Sequence, residues 1–454
     1  MTPAAATTLR LCVLLWLLLP IRCASADGRL EPDPVFGGSV YVEEWGDPAK
    51  STVVLIHGIG AAGSDDWRPV IDRLKSDFHV LAVDLPGFGR SGGGDTNYTP
   101  TRYAQLLRLL VARHAQRPVH LVGYSMGGAI ALRYAANYPA DVRTLTLVDT
   151  AGILHRMAYA KFLAALGLEQ VAGQPIPGKG IVSDLVGVLL EDAQKRLPVD
   201  PGLLMQIEPL RRKILKGNPS ALAAYGLVEE DFSRTPERVT APTQILWGEH
   251  DQVAPLRTGQ VLDALIPRSY LRVIPGTGHM PIAEAPDRFV ALLRPHLDGT
   301  ADPAWYRQPA PVGVGTLGQV QCNGQWGQVY SGRIDRLVLD RCTDAVIRDA
   351  AIGGLEIADS NVTIENSTIL GEDAGISARR STVYLTAGRV EGQVAIAAEG
   401  SRFDIAGTEL IGRRSAVEST AESSFVFSLG RIRSPNWAED VIHGYWLLGA
   451  GQRL

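Results

Sequence analysis

The segment Gly123-Tyr124-Ser125-Met126-Gly127 follows an apolar run, Val119-His120-Leu121-Val122, and opens a helical run at 129–137. A serine at such a sharp strand-to-helix turn is held in a strained backbone conformation. The glycines are needed because larger side chains there would collide with neighbouring backbone. The turn lifts the hydroxyl above the strand at the positive end of a helix. A serine hydroxyl is a weak nucleophile at neutral pH, so it requires a base that a third group holds in place. His279, in Gly276-Thr277-Gly278-His279-Met280, fits the base. Among nine histidines it alone sits in a loop after the last apolar strand candidate. Asp251, in Trp247-Gly248-Glu249-His250-Asp251-Gln252-Val253, lies in the loop after the preceding strand and fits the acid that orients the imidazole. A chance Gly-flanked turn serine, a solvent-exposed loop histidine and an ordinary loop aspartate are the bland readings of each alone. Their joint placement favours covalent acyl transfer, with Ser125 as nucleophile, His279 as general base and Asp251 behind it.

The elements that must position these residues are legible between 36 and 297, where short apolar runs alternate with longer amphipathic stretches. Val53-Val54-Leu55-Ile56, Val80-Leu81-Ala82-Val83, Val119-His120-Leu121-Val122, Leu145-Thr146-Leu147-Val148, Gln244-Ile245-Leu246-Trp247 and Leu271-Arg272-Val273-Ile274 read as strands. The pattern predicts a parallel sheet with crossover helices, whose ligands bind at the carboxyl ends of the strands. The alternation stops over about 151–238, after the fourth of these strands. Mostly helical stretches there are expected to form a cap over the strand ends. Its apolar pairs, such as Phe162-Leu163 and Leu185-Val186, serve packing as readily as an acyl pocket.

Residues 298–320 are rich in Pro and Gly without periodicity and read as a linker. A different pattern fills 321–454. Val362-Thr363-Ile364, Val383-Tyr384-Leu385, Phe403-Asp404-Ile405 and Phe425-Val426-Phe427 recur at intervals of 21, 20 and 22 residues. Leu355, Ile376 and Ile396 precede the first three by seven residues, and Asn361, Ser381, Ser401 and Ser424 are expected at the turns between coils. Such a repeat predicts a right-handed parallel β-helix of about five coils, with an antiparallel sandwich of evenly spaced strands as the alternative. Trp437, Tyr445 and Trp446 are expected to cap the open end of the stack.

With these residues in view, 36–297 resembles the α/β-hydrolase superfamily. His57-Gly58-Ile59-Gly60 is similar to its H-G oxyanion loop. Asp84-Leu85-Pro86-Gly87-Phe88-Gly89-Arg90-Ser91 is similar to a segment of its esterase and C-C hydrolase branches. The resemblance implies a Ser-Asp-His chain order and an oxyanion hole built from the backbone amides of Ile59 and Met126. It gives His57 a structural role, and has Asp84 and Arg90 fix their own loop. Asp149 is the acid position in a minority of relatives, and Asp251 is preferred because the segment around it matches more fully. Haloalkane dehalogenases and epoxide hydrolases carry Asp where this chain has Ser125, which disfavours their chemistry. Carboxylic-ester hydrolysis is the implied reaction, with C-C bond hydrolysis or peracid formation by the same triad as alternatives. No metal or organic cofactor is implied.

Composition bounds the setting. The chain has 454 residues, 46% hydrophobic and 20% charged, which suits two globular domains. A net charge of -4 offers no basic face for nucleic acid. Arg10, the apolar run 11–19 and Ala24-Ser25-Ala26 read as a signal peptide over 1–26, which predicts export to the periplasm or medium. An uncleaved anchor is the alternative, and Cys23 raises a lipoprotein question that Pro20-Ile21-Arg22 argues against. Domain boundaries are then 27–297 for the α/β unit, 298–320 for the linker and 321–454 for the coils. With the leader go Arg10, Arg22, Cys12 and Cys23. That turns 44 basic residues into 42 against 48 acids, a charge of -6. Cys322 and Cys342 remain and are expected to pair across the first coil. The expected partners are a small ester or acyl substrate and, from the likeness of β-helices to carbohydrate-active and adhesive modules, a polysaccharide or cell surface. A protein whose β-helix dominates its function, with the hydrolase part assisting, is the reading from a different class.

Overall fold

The computed structural model describes residues 28–94, 97–154, 217–306 and 318–454. The expected leader, most of the expected cap (155–216) and residues 307–317 of the expected linker lie outside the described residues.

One sheet contains β1 (Arg29–Pro32), β2 (Ser39–Trp45), β3 (Thr52–Ile56), β4 (His79–Asp84), β5 (Val119–Tyr124), β6 (Val142–Val148), β7 (Thr243–Gly248) and β8 (Ser269–Ile274). Their order is β1-β2-β4-β3-β5-β6-β7-β8. The sheet is parallel from β4 to β8, while β1 and β2 pair antiparallel at one edge. All six apolar runs read from the sequence fall in β3 to β8. Strands buried along their whole length, as β3, β4, β5 and β7 are, require helices on both faces to exclude water.

Among the described residues the α-helices are α1 (Arg68–Leu74), α2 (Pro100–His114), α3 (Met126–Asn137), α4 (Pro219–Glu229), α5 (Leu256–Leu265), α6 (Pro281–Glu284) and α7 (Pro286–Leu297). One apolar cluster joins α2, α3 and α4 to one face of the sheet, and another packs Trp67, Phe289 and Leu293 on the opposite face. The start of α2 follows from local chemistry: Thr99 caps it by accepting the Arg102 N–H at 3.3 Å, and Pro100 occupies the first turn.

Strand β2, which lies between the edge strand β1 and β4, escapes the sequence reading because Glu43 and Glu44 interrupt its apolar residues. Glu43 is buried and receives Arg68 at 2.9 Å and Arg90 at 2.9 Å.

The second sheet winds in coils. Its strands are β9 (Gln319–Asn323), β10 (Val329–Ile334), β11 (Arg336–Asp340), β12 (Ala345–Ile352), β13 (Leu355–Ala358), β14 (Asn361–Leu370), β15 (Ala374–Arg379), β16 (Thr382–Glu399), β17 (Arg402–Ala421), β18 (Ser423–Arg433) and β19 (Ala438–Leu448). From β9 to β18 every pairing is parallel. Val362, Val383, Phe403 and Phe425 are partners in register, and so are Leu355, Ile376 and Ile396. This parallel stack excludes the antiparallel sandwich. The inward side chains form one buried apolar column in which Phe403 and Phe425 stack at 5.2 Å.

Two details correct the sequence reading. Asn361 and Ser424 do not belong in one column with Ser381 and Ser401. Asn361 pairs with Thr382, and Arg402 pairs with Ser424. Successive residues of a strand face opposite ways, so a shift of one residue moves a side chain from inside to outside. The buried column is Ser360, Ser381, Ser401 and Ser423. The hydroxyls of Ser381, Ser401 and Ser423 each accept the N–H of the previous member at 3.1 Å. At the end of the stack, Trp437 and Trp446 cover Phe427 at 6.5 and 5.0 Å, but Tyr445 points outward and is 56% exposed.

The edges there are also satisfied. β19 runs antiparallel to β18, and residues 451–454 bond to 416–419. Cys322 and Cys342 form a disulfide with a Cα–Cα distance of 6.4 Å. Residues 318–320 already belong to the first coil, and Trp305 and Tyr306 pack on Tyr270 of β8.

Candidate active site

Ser125 stands between β5 and α3 with φ 53° and ψ -119°, and only 7% of its surface is exposed. Its flanking glycines sit where backbone crosses backbone. A Cβ on Gly123 would lie 2.2 Å from the Gly127 carbonyl oxygen, and one on Gly127 would lie 2.1 Å from that of Ile56. The strain of a positive φ in a serine is therefore enforced by the sheet and α3 together.

His279 lies in the loop between β8 and α6. Its Nδ1 is 2.8 Å from Asp251 Oδ2, and its Nε2 is 3.0 Å from Ser125 Oγ. An ionised carboxylate can only accept, so Nδ1 carries the proton and Nε2 is left to accept from the serine hydroxyl. The ring also packs on Tyr124, with centroids 5.3 Å apart.

Two glutamates hold the loop around it. Glu284 accepts the N–H of Gly278 at 2.7 Å and of Met280 at 3.1 Å, bracketing the histidine. Glu249 accepts the Gly276 N–H at 2.9 Å, and the His250 N–H donates to the Thr277 carbonyl at 2.8 Å, which ties the acid loop to the histidine loop.

The Asp251 side chain is fully buried. Its Oδ1 accepts the N–H groups of Val253 and Ala254 at 2.8 and 3.0 Å, leaving Oδ2 for His279. Burial pushes this carboxyl up, but the hydrogen bond and charge of His279 outweigh it and keep the group ionised, below the usual range.

Asp149, at the end of β6, sits behind it rather than on the imidazole. Asp149 is wholly buried, has φ 42°, and accepts the Gly248 N–H at 2.8 Å. Burial first, then the hydrogen bond and charge of Asp251, push its carboxyl up to about 10, so it keeps its proton. Two carboxyl groups this close cannot both ionise, and the pair divides into one acid and one carboxylate.

A carboxylate oxygen from each aspartate and a ring nitrogen of His279 lie within 4.8 Å of one another. Among the described residues this is the group able to hold a cation, although Asp251 and His279 already engage each other.

The loop after β3 crosses directly above the serine. A Cβ on Gly58 would lie 2.9 Å from Ser125 Cβ, so Ile59 follows at a point of contact, while Met126 is the first residue of α3. His57 is buried and uncharged, its pKa lowered by burial. It bridges the Gly58 carbonyl at 2.6 Å and the Leu85 N–H at 2.8 Å. Asp84 accepts Ser64 N–H at 2.7 Å and the Nε and N–H of Arg90 at 2.8 Å, which closes the neighbouring turn.

Ser125, Asp251 and His279 are therefore brought together, and Asp149 is placed one step further back. Glu284 escaped the sequence reading. Its signal would have been a carboxylate five residues beyond His279, at the last residue of the short helix α6. An arrangement of this kind can move a proton from a hydroxyl onto an imidazole while a buried carboxylate balances the charge that forms.

A family model described as the alpha/beta hydrolase family matches residues 53–292. An uncharacterised protein of Mycobacterium tuberculosis is 30% identical over 275 residues, covering 57% of this chain and 78% of that protein. Rat monoacylglycerol lipase ABHD6 is 29% identical over 269 residues, covering 56% of this chain and 77% of its own. Lipase 1 of Psychrobacter immobilis is 30% identical over 263 residues, covering 55% and 77%. The family match, spanning more than half of the chain, and the layered sheet with its elbow agree, and the chain belongs to the alpha/beta hydrolase family.

Proposed function

We propose that this hydrolase cleaves carboxylic esters through an acyl-enzyme on Ser125. The observation that carries the proposal is the unbroken line from Ser125 Oγ through His279 to Asp251, with contacts of 3.0 and 2.8 Å. Ser125 Oγ attacks the acyl carbonyl as His279 Nε2 takes its proton. The N–H groups of Ile59 and Met126 receive the negative oxygen, each such donor contributing about 3 kcal/mol of transition-state stabilisation. The alkoxide leaves with the proton from His279. Water then enters, gives a proton to the same nitrogen and releases the acid. Asp251 stays ionised throughout and stabilises the imidazolium.

The two lipases among the relatives support an ester substrate. Export to an oxidising compartment is part of the proposal. It is supported by the leader-like segment 1–26 and by the Cys322–Cys342 disulfide, since such bonds persist outside the reducing cytosol. The test is labelling by a fluorophosphonate, with Ser125→Ala as control, beside a panel of esters of graded acyl length. Labelling lost in the variant together with alcohol release supports the proposal. Labelling that persists in Ser125→Ala overturns the assignment of the nucleophile, and cleavage of diketones without ester turnover overturns the assignment of substrate.

A further inference from the structure

The loop that carries Asp251 runs from the end of β7 straight into α5, and the outer side of α5 rests on the coiled domain. Arg257, in the first turn of α5, reaches across. Its Nη1 donates to Asp404 Oδ1 at 2.7 Å, its Nε to Thr386 Oγ1 at 2.7 Å, and its Nη2 to the carbonyls of Asp404 and Leu385. One turn later Val261, fully buried, meets Gly407, where a Cβ would lie 2.8 Å from Val261 Cγ1. Further along the same border Arg234 donates to Asp440 at 2.6 Å, and Arg431 pairs with Glu237.

The coils are built for this contact. At one corner the residues Asp349, Asn366, Ala387, Gly407 and Leu429 stack in register, all with positive φ between 44° and 59°. Asp and Asn tolerate that conformation and occupy it in the early coils. Where α5 docks, the corner becomes Ala, Gly and Leu. Leu429 is 5% exposed and joins the apolar cluster of Val261 and Trp247 together with Ala406. A leucine at positive φ is strained; the corner that repeats from coil to coil sets this conformation, and the side chain of Leu429 is buried among residues of the other domain.

We infer that the coiled domain is part of the proposed catalytic scaffold, with Arg257 as a positioning residue that clamps the start of α5 and so fixes the Asp251 loop. The inference rests on the Ser-His-Asp reading. Five residues lie between Asp251 and Arg257, and the span is already taut. Asp251 accepts the amides of Val253 and Ala254, and Trp247 Nε1 donates to the Ala254 carbonyl at 2.9 Å. Slack at the first turn of α5 therefore has little loop in which to dissipate before it reaches the carboxylate. Arg suits the clamp because its planar fork spreads five N–H donors over three nitrogens, and Nε, Nη1 and Nη2 are all used here, whereas a lysine has three donors on a single nitrogen.

The test uses the full chain with Arg257→Ala, Asp404→Asn and the double variant. It reads the rate of Ser125 labelling by a fluorophosphonate, kcat and KM on a short-chain p-nitrophenyl ester, and amide exchange of residues 249–255. Displacing a group that orients the base is expected to slow labelling and kcat by about ten-fold with KM nearly unchanged. Exchange at 249–255 should rise, and the double variant should be no worse than the stronger single one, because both break the same contact. Asp404→Asn preserves shape and keeps the test available if Arg257→Ala does not fold. Normal labelling and kcat in variants whose exchange shows the α5 border opened would overturn the inference. Loss of this inference is distinct from loss of the triad, since only the latter leaves Ser125→Ala as active as the parent chain.

Discussion

Ser125 Oγ and His279 Nε2 lie 3.0 Å apart although 154 residues separate them in the chain. The sheet makes this contact. β5 ends in the elbow and β8 ends in the histidine loop, while β6 and β7 between them deliver Asp149 and Asp251 to the same rim.

Removing the proposed nucleophile is the simplest prediction. Ser125→Ala should lower kcat by roughly 10⁶-fold while leaving the thermal midpoint near that of the parent, as measured by ester hydrolysis and by thermal denaturation. A midpoint that collapses along with the activity would mean that the variant reports folding rather than chemistry.

The two aspartates should behave differently. Asp251→Asn removes the acceptor that fixes the imidazole tautomer, and a loss of roughly 10⁴-fold in kcat is expected. Asp149→Asn leaves the Ser125–His279–Asp251 line in place, and a much smaller loss should follow. Comparable losses in both would place the orienting charge on the pair rather than on Asp251.

The same pair sets a pH dependence of stability. Asp149 holds its proton in the folded chain well above the ordinary carboxyl value of 3.8. Its folded pKa is raised, so its contribution is complete below the unfolded pKa and is lost as pH rises towards about 10. Unfolding releases that proton throughout this window, which makes the native state progressively less favoured. Thermal midpoints measured between about pH 5 and 9 should therefore fall more steeply for the parent than for Asp149→Asn, whose amide has no proton to release. Parallel curves would count against a protonated Asp149.

Glu284 offers a more local test. Glu284→Ala frees the amides of Gly278 and Met280 on either side of the histidine, and a drop in kcat of about ten-fold is expected from the looser ring. Equal activity in parent and variant would show that the loop keeps its shape without the bracket.

The disulfide closes a span of 20 residues in the first coils. Replacing both cysteines by serine should cost about 3 kcal/mol of stability in denaturant unfolding, with the early coils opening first in amide exchange. Ester turnover should hold, because the α5 border lies on the later coils, from Glu365 onward, and the disulfide lies on the earlier ones.

Much of this architecture could be read from the sequence because its physical signals are local. A G-x-S-x-G turn between an apolar strand and a helix identifies the elbow, and the 20–22-residue recurrence from Val362 to Phe425 identifies the stack. What escaped depended on contacts between distant segments. The β2 strand hid behind Glu43, whose charge is buried only because Arg68 and Arg90 arrive from elsewhere. The serine column was misaligned by one residue at Ser360 and Ser423, although its spacing of 21, 20 and 22 residues is that of Val362, Val383, Phe403 and Phe425, and the pairing register shows which side chains face inward. Arg257 carried no motif at all. Its meaning lies in Asp404, 147 residues away.

The most direct test of the proposed chemistry is rapid-quench mass spectrometry on a slowly deacylating ester, followed by digestion to locate the adduct. The account predicts one acyl group on the peptide containing Ser125, formed and discharged at rates consistent with turnover and missing from Ser125→Ala. Turnover without such an adduct, or an acyl group carried on another residue, would contradict it.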